Sequence, residues 1–117
     1  VGLIAQRLLR KVCPNCAKEV ETTDQERILL GEDVRIVKRG MGCSQCNHTG
    51  YRGRIAVHEI LAINQDIRRM IMEHESVENI TKYAREHQHM RTLKESGLIL
   101  VKEGVTTPEE LMKISYE

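Results

Sequence analysis

Cys13-Pro14-Asn15-Cys16 and Cys43-Ser44-Gln45-Cys46 decide how this chain is read. Each is a Cys-x-x-Cys pair, and residues 17–42 lie between them. Two-residue spacing lets both sulfurs of a tight turn face one ion while backbone amides donate to them. Two such knuckles offer four thiolates at tetrahedral corners, the closed set that structural zinc prefers. Gly40, Gly42 and Gly50 around the second knuckle suit backbone running close to sulfur. Structural zinc on Cys13, Cys16, Cys43 and Cys46 is the favoured reading. Iron or a loosely held metal in the same geometry, and disulfides, are the alternatives. Disulfides fit poorly: nothing marks the chain as secreted, and a redox Cys-x-x-Cys normally opens a helix in a βαβ pattern that is absent here. Four thiolate ligands leave no open coordination position, so the ion would hold shape rather than activate water. His48 reads as an exposed loop residue rather than a ligand. No histidine pair has metal spacing on a helix face.

Working outward, residues 13–50 are expected to form a tetracysteine zinc-binding subdomain with a short sheet. Inside it Thr23 and Glu26 make a capping box, Gly31 closes a short helix, and residues 34–39 read as a strand. Ahead of it Leu3, Ile4, Leu8, Leu9 and Val12 fall on one helical face, with Arg10 and Lys11 suiting a helix C-terminus. That predicts a helix over 1–12. The chain starts mid-pattern, without methionine or cap, as expected of a cut end.

Residues 52–61 read as a strand within a strand region at 51–63. Helices follow at about 65–75, 77–88, 93–103 and 108–115, and residues 64–117 are expected to form a C-terminal helical subdomain. Ser76 caps the second of these helices. Thr92 with Glu95 boxes the third, Gly104 ends it, and Thr107, Pro108 and Glu110 open the last. Gly97 costs about 1 kcal/mol relative to Ala inside a helix, and is expected to permit close packing. The fold class is α+β: a small zinc-binding subdomain with a short sheet, plus a helical bundle. The two are expected to be modular, so that Cys43→Ser unfolds mainly residues 13–50 and spares the tail.

The 117 residues carry 18 Lys and Arg against 17 Asp and Glu, a net charge of +1, which gives no global drive toward nucleic acid or anionic lipid. With no Trp or Phe and only three Tyr, base-stacking platforms are scarce. The longest apolar runs, Ile60–Ile63 and Leu98–Val101, are far short of the roughly 20 residues a membrane span needs. No membrane insertion and no signal peptide are expected. Phosphate loops of the Gly-x-x-x-x-Gly-Lys-Ser/Thr type, dinucleotide fingerprints and nucleophile elbows are missing. The chain alone is therefore expected to lack an active site and not to hydrolyse ATP. Arg52-Gly53-Arg54 is the one local cationic feature, read either as a phosphate contact or as a solvated turn.

The run Leu3-Ile4-Ala5-Gln6-Arg7-Leu8-Leu9-Arg10-Lys11-Val12-Cys13-Pro14, with Cys16, resembles a family when joined to a second stretch. That stretch is Gly42-Cys43, then Cys46-Asn47, Thr49-Gly50-Tyr51, and Gly53-Arg54-Ile55-Ala56-Val57-His58-Glu59-Ile60-Leu61. Together they are similar to the C-terminal part of type II secretion (general secretion pathway protein E) and type IV pilus assembly ATPases. Met90-Arg91-Thr92-Leu93, Glu95, Gly97, Gly104-Val105-Thr106-Thr107 and Glu110 resemble that family's tail. His89 stands where the family usually has Gly, which puts one helix–helix turn in doubt.

The resemblance implies a fragment of a RecA-like ATPase, or a natural remnant, whose ATP- and magnesium-binding motifs lie upstream. It implies a parent that is a cytoplasmic hexamer, peripheral at the inner membrane, driving export or pilus assembly through an inner-membrane platform protein. It implies that Arg52 and Arg54 lie near nucleotide or a neighbouring subunit, and that strand 54–61 loses its sheet neighbours here. The alternative function is a stand-alone zinc-ribbon binding module for nucleic acid or protein. Nucleic acid fits poorly, because residues 17–42 balance to −1 in charge. A chaperone-like zinc module, which Cys43-x-x-Cys46-x-x-Thr49-Gly50 faintly resembles, fits poorly with two pairs rather than four. No nucleic-acid partner is expected.

Overall fold

Strand β4 (Tyr51–Leu61) follows the second cysteine pair, carrying Ile55, Val57 and Ile60, and it pairs antiparallel with β1 (Gly2–Val12). The structure, a computed structural model, describes residues 2–88 and 91–115. Along this two-stranded ribbon Gln6 lies opposite His58, Leu8 opposite Ala56 and Arg10 opposite Arg54; Arg7 faces Val57 and Leu9 faces Ile55. Register shifts interrupt the ladder between Leu3 and Ala5 and between Arg10 and Val12. Leu9 and Val57 point into the core, while Leu8 and Ile60 are exposed on the other face.

The expected helix over 1–12 is therefore a strand. Its apolar spacing is compatible with 3.6-residue periodicity, but local periodicity carries no information about a partner beyond residue 50. The long antiparallel ladder to β4 satisfies the backbone and buries Leu9, and tertiary pairing overrides a weak helical preference. The strand expected from residue 52 onward exists and pairs with β1.

Between the ribbon strands the chain makes β2 (Ala17–Glu21), α1 (Asp24–Leu30) and β3 (Ile36–Gly40). Strands β2 and β3 pair antiparallel, Val20 opposite Val37. Strand β2, with Val20 as its one strongly β-forming apolar residue, was not expected. The α1 capping box forms as read: Thr23 accepts from the Glu26 amide and the Glu26 carboxylate accepts from the Thr23 amide.

Four helices follow β4: α2 (Gln65–Met72), α3 (Val77–His87), α4 (Leu93–Lys102) and α5 (Pro108–Ser115). Asn64, Ser76 and Thr92 cap the first three through their side chains. At α4 the reciprocal half of the expected box differs: the Glu95 carboxylate takes the Thr92 hydroxyl and the Arg85 guanidinium. His89 and Met90, where the family glycine is replaced, lie outside the described residues.

The architecture is α+β. One core joins Leu9 and Val57 of the ribbon, Leu30, Val34 and Val37 of the segment between the cysteine pairs, and Val101, Leu111 and Ile114 of α4 and α5. Helices α2 and α3 pack instead around Leu61, Ile67 and Ala84, with Met70, Ile80 and Tyr83 beside them. The cysteine-bearing segment and the last two helices thus share one interior, and the first two tail helices have another. Gly97 allows this packing: a Cβ there would meet Leu111 Cδ1 at 2.8 Å and Ile114 Cδ1 at 3.2 Å, as the sequence reading anticipated. The molecule is elongated, 54 × 29 × 19 Å, with the cysteines at one end of the ribbon and α2–α3 at the other.

Candidate metal centre

The first knuckle closes β1: Val12 ends the strand and Cys13–Cys16 turn the chain into β2. The second opens β4. Cys43 leads into a 3-10 turn (Ser44–Cys46), and Asn47 and His48 follow in left-handed conformation, which lets the His48 amide return to the Cys43 carbonyl at 2.8 Å. The two knuckles are stitched together. The Cys13 amide donates to the Gly50 carbonyl at 3.0 Å, and the Met41 amide to that of Cys16 at 3.1 Å. Gly40 and Gly50 cross so closely that a Cβ on Gly40 would lie 2.1 Å from the Gly50 oxygen. Only residues without a side chain fit there.

All four sulfurs end within 4.8 Å of one another, and all four are free thiols. The Sγ separations are 3.8 Å for Cys13–Cys43, 3.9 Å for Cys16–Cys46 and 3.7 Å for Cys43–Cys46. A tetrahedron with metal–sulfur bonds of about 2.3 Å has edges √(8/3) times as long, about 3.8 Å. These four residues could therefore hold a metal ion. His48 is exposed and outside the cluster.

Backbone amides prepare the sulfurs for negative charge. Gly42 donates to Cys16 Sγ at 3.2 Å, Cys43 to Cys46 Sγ at 3.3 Å and Gly50 to Cys46 Sγ at 3.2 Å. Burial pushes the Cys46 thiol up, but the Cys43 and Gly50 amides and the neighbouring thiols outweigh it and bring it down to about 6. The Asn15 side chain, reaching from the first knuckle, pulls Cys43 down against burial. Cys16 is pushed up to about 11, chiefly by burial and despite the Gly42 amide; its neighbours add to the rise. Thiolates are the metal-binding form, so these amide contacts favour the state in which an ion can be held.

A second constellation, not singled out by the sequence reading as a unit, binds the tail to this end of the ribbon. Glu110 of α5 is 1% exposed. It accepts from the Arg10 amide at 2.7 Å, from Arg10 Nη2 at 3.0 Å and from Lys113 Nζ at 2.6 Å. The Arg10 guanidinium lies 4.0 Å from the Tyr51 ring centroid, and the Tyr51 hydroxyl meets Thr107 Oγ1 at 2.7 Å. Thr106 donates to the Arg10 carbonyl, and the Val12 amide to that of Val105. The only sequence signal was the match of Gly104–Thr107 and Glu110 to a family tail, which names the residues but not their partners.

The expected arginine site is placed as follows. Arg52 is exposed and donates to Gln45 of the second knuckle at 3.1 Å. Arg54 is exposed on the ribbon and, among the described residues, makes no side-chain hydrogen bond or ion pair.

A family profile described as "Type II/IV secretion system protein" matches residues 1–113. The chain belongs to that family. Among relatives of the secretion family, the "Type IV pilus assembly ATPase PilB" of Thermus thermophilus is 38% identical over all of this chain and 14% of its own length. The "Type II secretion system protein E" of Aeromonas hydrophila is 35% identical over all of this chain and 24% of its own. The "Type II secretion system ATPase E" of Vibrio cholerae is 32% identical with the same coverage. The chain spans about a quarter or less of the length of these secretion-family relatives. Among the described residues no helix is long and apolar enough to cross a membrane.

Proposed function

We propose that this chain is the zinc-bearing C-terminal region of a secretion or pilus-assembly ATPase. The observation that carries the reading is a four-cysteine cluster, its sulfurs all within 4.8 Å of one another, inside a chain that matches relatives named as such ATPases along its whole length. Cys13, Cys16, Cys43 and Cys46 hold the zinc, which supplies no chemistry beyond cross-linking: it pins the end of β1 to the start of β4. ATP and magnesium bind upstream in the intact parent. That parent works as a cytoplasmic hexamer at the inner membrane and acts on a platform protein of the machine.

In that setting the metal end of the ribbon is a positioning device. The second knuckle determines where β4 starts and hence where Arg54 points. Arg54 is exposed, and guanidinium geometry suits phosphate or a carboxylate across a subunit boundary. The test uses the intact parent with Arg54→Ala. Loss of an arginine contact to developing charge lowers turnover or hexamer stability roughly tenfold or more, with zinc content unchanged. Unchanged turnover and unchanged oligomer mass would leave Arg54 a surface residue. Zinc well under one equivalent in protein prepared without chelator would remove the metal from the reading.

A further inference from the structure

The two knuckles treat their sulfurs unequally, and the backbone after each pair explains why. After Cys46 the chain stays in a turn, with Asn47 and His48 left-handed, so that the Gly50 amide returns to Cys46 Sγ at 3.2 Å, beside the Cys43 amide at 3.3 Å. After Cys16 the chain leaves at once as β2, and residues from Ala17 onward pair with β3. Cys16 Sγ takes its amide from the opposite knuckle, Gly42 at 3.2 Å.

Exposure sorts the same four cysteines. Cys13 is fully buried and Cys46 is 5% exposed, whereas Cys16 and Cys43 are half-buried and within reach of a small solute. Of these two, Cys43 is shielded by the Asn15 side chain and by the Cys46 and Gln45 amides. Cys16 combines access with the thinner set of donors. Each N–H···S bond draws electron density from a thiolate and makes it a weaker nucleophile. An ion closed by four thiolates has no open position, so an arriving electrophile meets sulfur rather than metal. Cys46 Sγ, on the other knuckle, lies 3.9 Å from Cys16 Sγ.

We propose that Cys16 is an oxidation site for peroxides and that its oxidation ejects the ion. The inference rests on zinc filling the cluster. The Cys16 thiolate attacks one oxygen of hydrogen peroxide; the O–O bond breaks, a sulfenic acid forms on Cys16 and hydroxide leaves. The Cys46 thiolate then attacks the Cys16 sulfur; the S–S bond forms, the S–O bond breaks and a second hydroxide leaves. The two thiolates together give up two electrons, and peroxide is reduced to two hydroxides. Cys13 and Cys43 alone do not retain the ion. The disulfide replaces it as the link between the knuckles, so a thiol reductant with zinc restores the site.

Zinc content of the purified chain is measured first, and the loaded chain is then treated with hydrogen peroxide, with and without dimedone as a sulfenic acid trap. A metallochromic dye follows zinc release, and peptide mass spectrometry maps the cysteines. Dimedone should tag Cys16 ahead of the other three. Without it the Cys16–Cys46 disulfide should form, zinc should appear at the same rate, and dithiothreitol with zinc should reverse both. Cys16→His, which keeps four ligands for zinc, should slow release roughly tenfold or more, and Cys43→His should change it by less than about twofold. The mapping on the unmodified chain stands whether or not these variants hold zinc. The proposal is overturned if Cys43 is tagged first, if the disulfide joins other cysteines, if zinc stays bound after Cys16 is oxidised, or if zinc-loaded Cys16→His releases as fast as the unmodified chain. A chain without zinc before peroxide fails the metal reading itself and this proposal with it; a loaded chain with an unreactive Cys16 fails this proposal alone.

Discussion

Glu110 shows how much one side chain can carry at the junction of ribbon, knuckle and tail. Burial alone would raise its carboxyl, but Arg10 and Lys113 outweigh burial and hold it below its ordinary value of 4.5. A carboxylate depressed in the folded state adds stability above its unfolded value, and that stability is lost as pH falls through the folded one. Stability should therefore be level above about pH 5 and decline below it. Glu110→Gln keeps the volume and removes the charge. Arg10 and Lys113 stay largely hydrated, so the expected loss at pH 7 is about 2 kcal/mol, less than for a fully buried pair. Denaturant titrations from pH 3 to 7 check this: the variant should show a shallower acid decline, and parallel curves would contradict it. Gly40 gives a second residue-scale expectation. Its Cβ position is occupied by the Gly50 carbonyl, so Gly40→Ala must push the second knuckle away from the first. Zinc affinity measured against a competing chelator should fall at least tenfold while α2 and α3 keep their helicity.

Among the elements, the shared interior predicts behaviour less modular than the sequence suggests. Leu30, Val34 and Val37 sit between the cysteine pairs and pack with Val101, Leu111 and Ile114 of α4 and α5. Structural zinc in small domains supplies on the order of 10 kcal/mol of folding free energy. Cys43→Ser should accordingly cost amide protection in β2, β3, α4 and α5 together, and leave α2–α3 the least affected. Hydrogen exchange decides this; protection lost only within 13–50 would restore two independent modules. The helices were legible because their signals are local: Thr23 with Glu26, Ser76, Thr92, and Pro108 behind Thr107 each act within one turn. The cysteine cluster was legible because Cys-x-x-Cys spacing constrains sulfurs whatever lies between. Strand β1 was not, because Leu8 and Leu9 fit a helix face as well as a ribbon, and the deciding partner begins at Tyr51. The Glu110 network was hidden for the same reason, since Arg10 and Glu110 meet only through the fold.

For the whole molecule, the chain is an elongated body that holds a quarter or less of its relatives' length and contains no phosphate loop in its own sequence. Pure chain should release no phosphate from ATP above background. Turnover that survives loss of the knuckle cysteines would refute this, because phosphoryl transfer needs a lysine-bearing loop and a magnesium-binding acid. The geometry that joins Cys13 to Gly50 and Gly40 to Gly50 also has a kinetic side. Pairing β1 with β4 brings Val12 to Tyr51, and closing a loop of about 40 residues costs roughly 3 kcal/mol in chain entropy. Once the four sulfurs share an ion, the ends of that loop are already together and the ribbon can zip from its knuckle end like a short hairpin. A zinc ion shared by the four sulfurs would then turn a slow, long-range pairing into a fast, local one. Metal availability would set not only whether this chain is stable but how long β1 waits unpaired before its partner arrives.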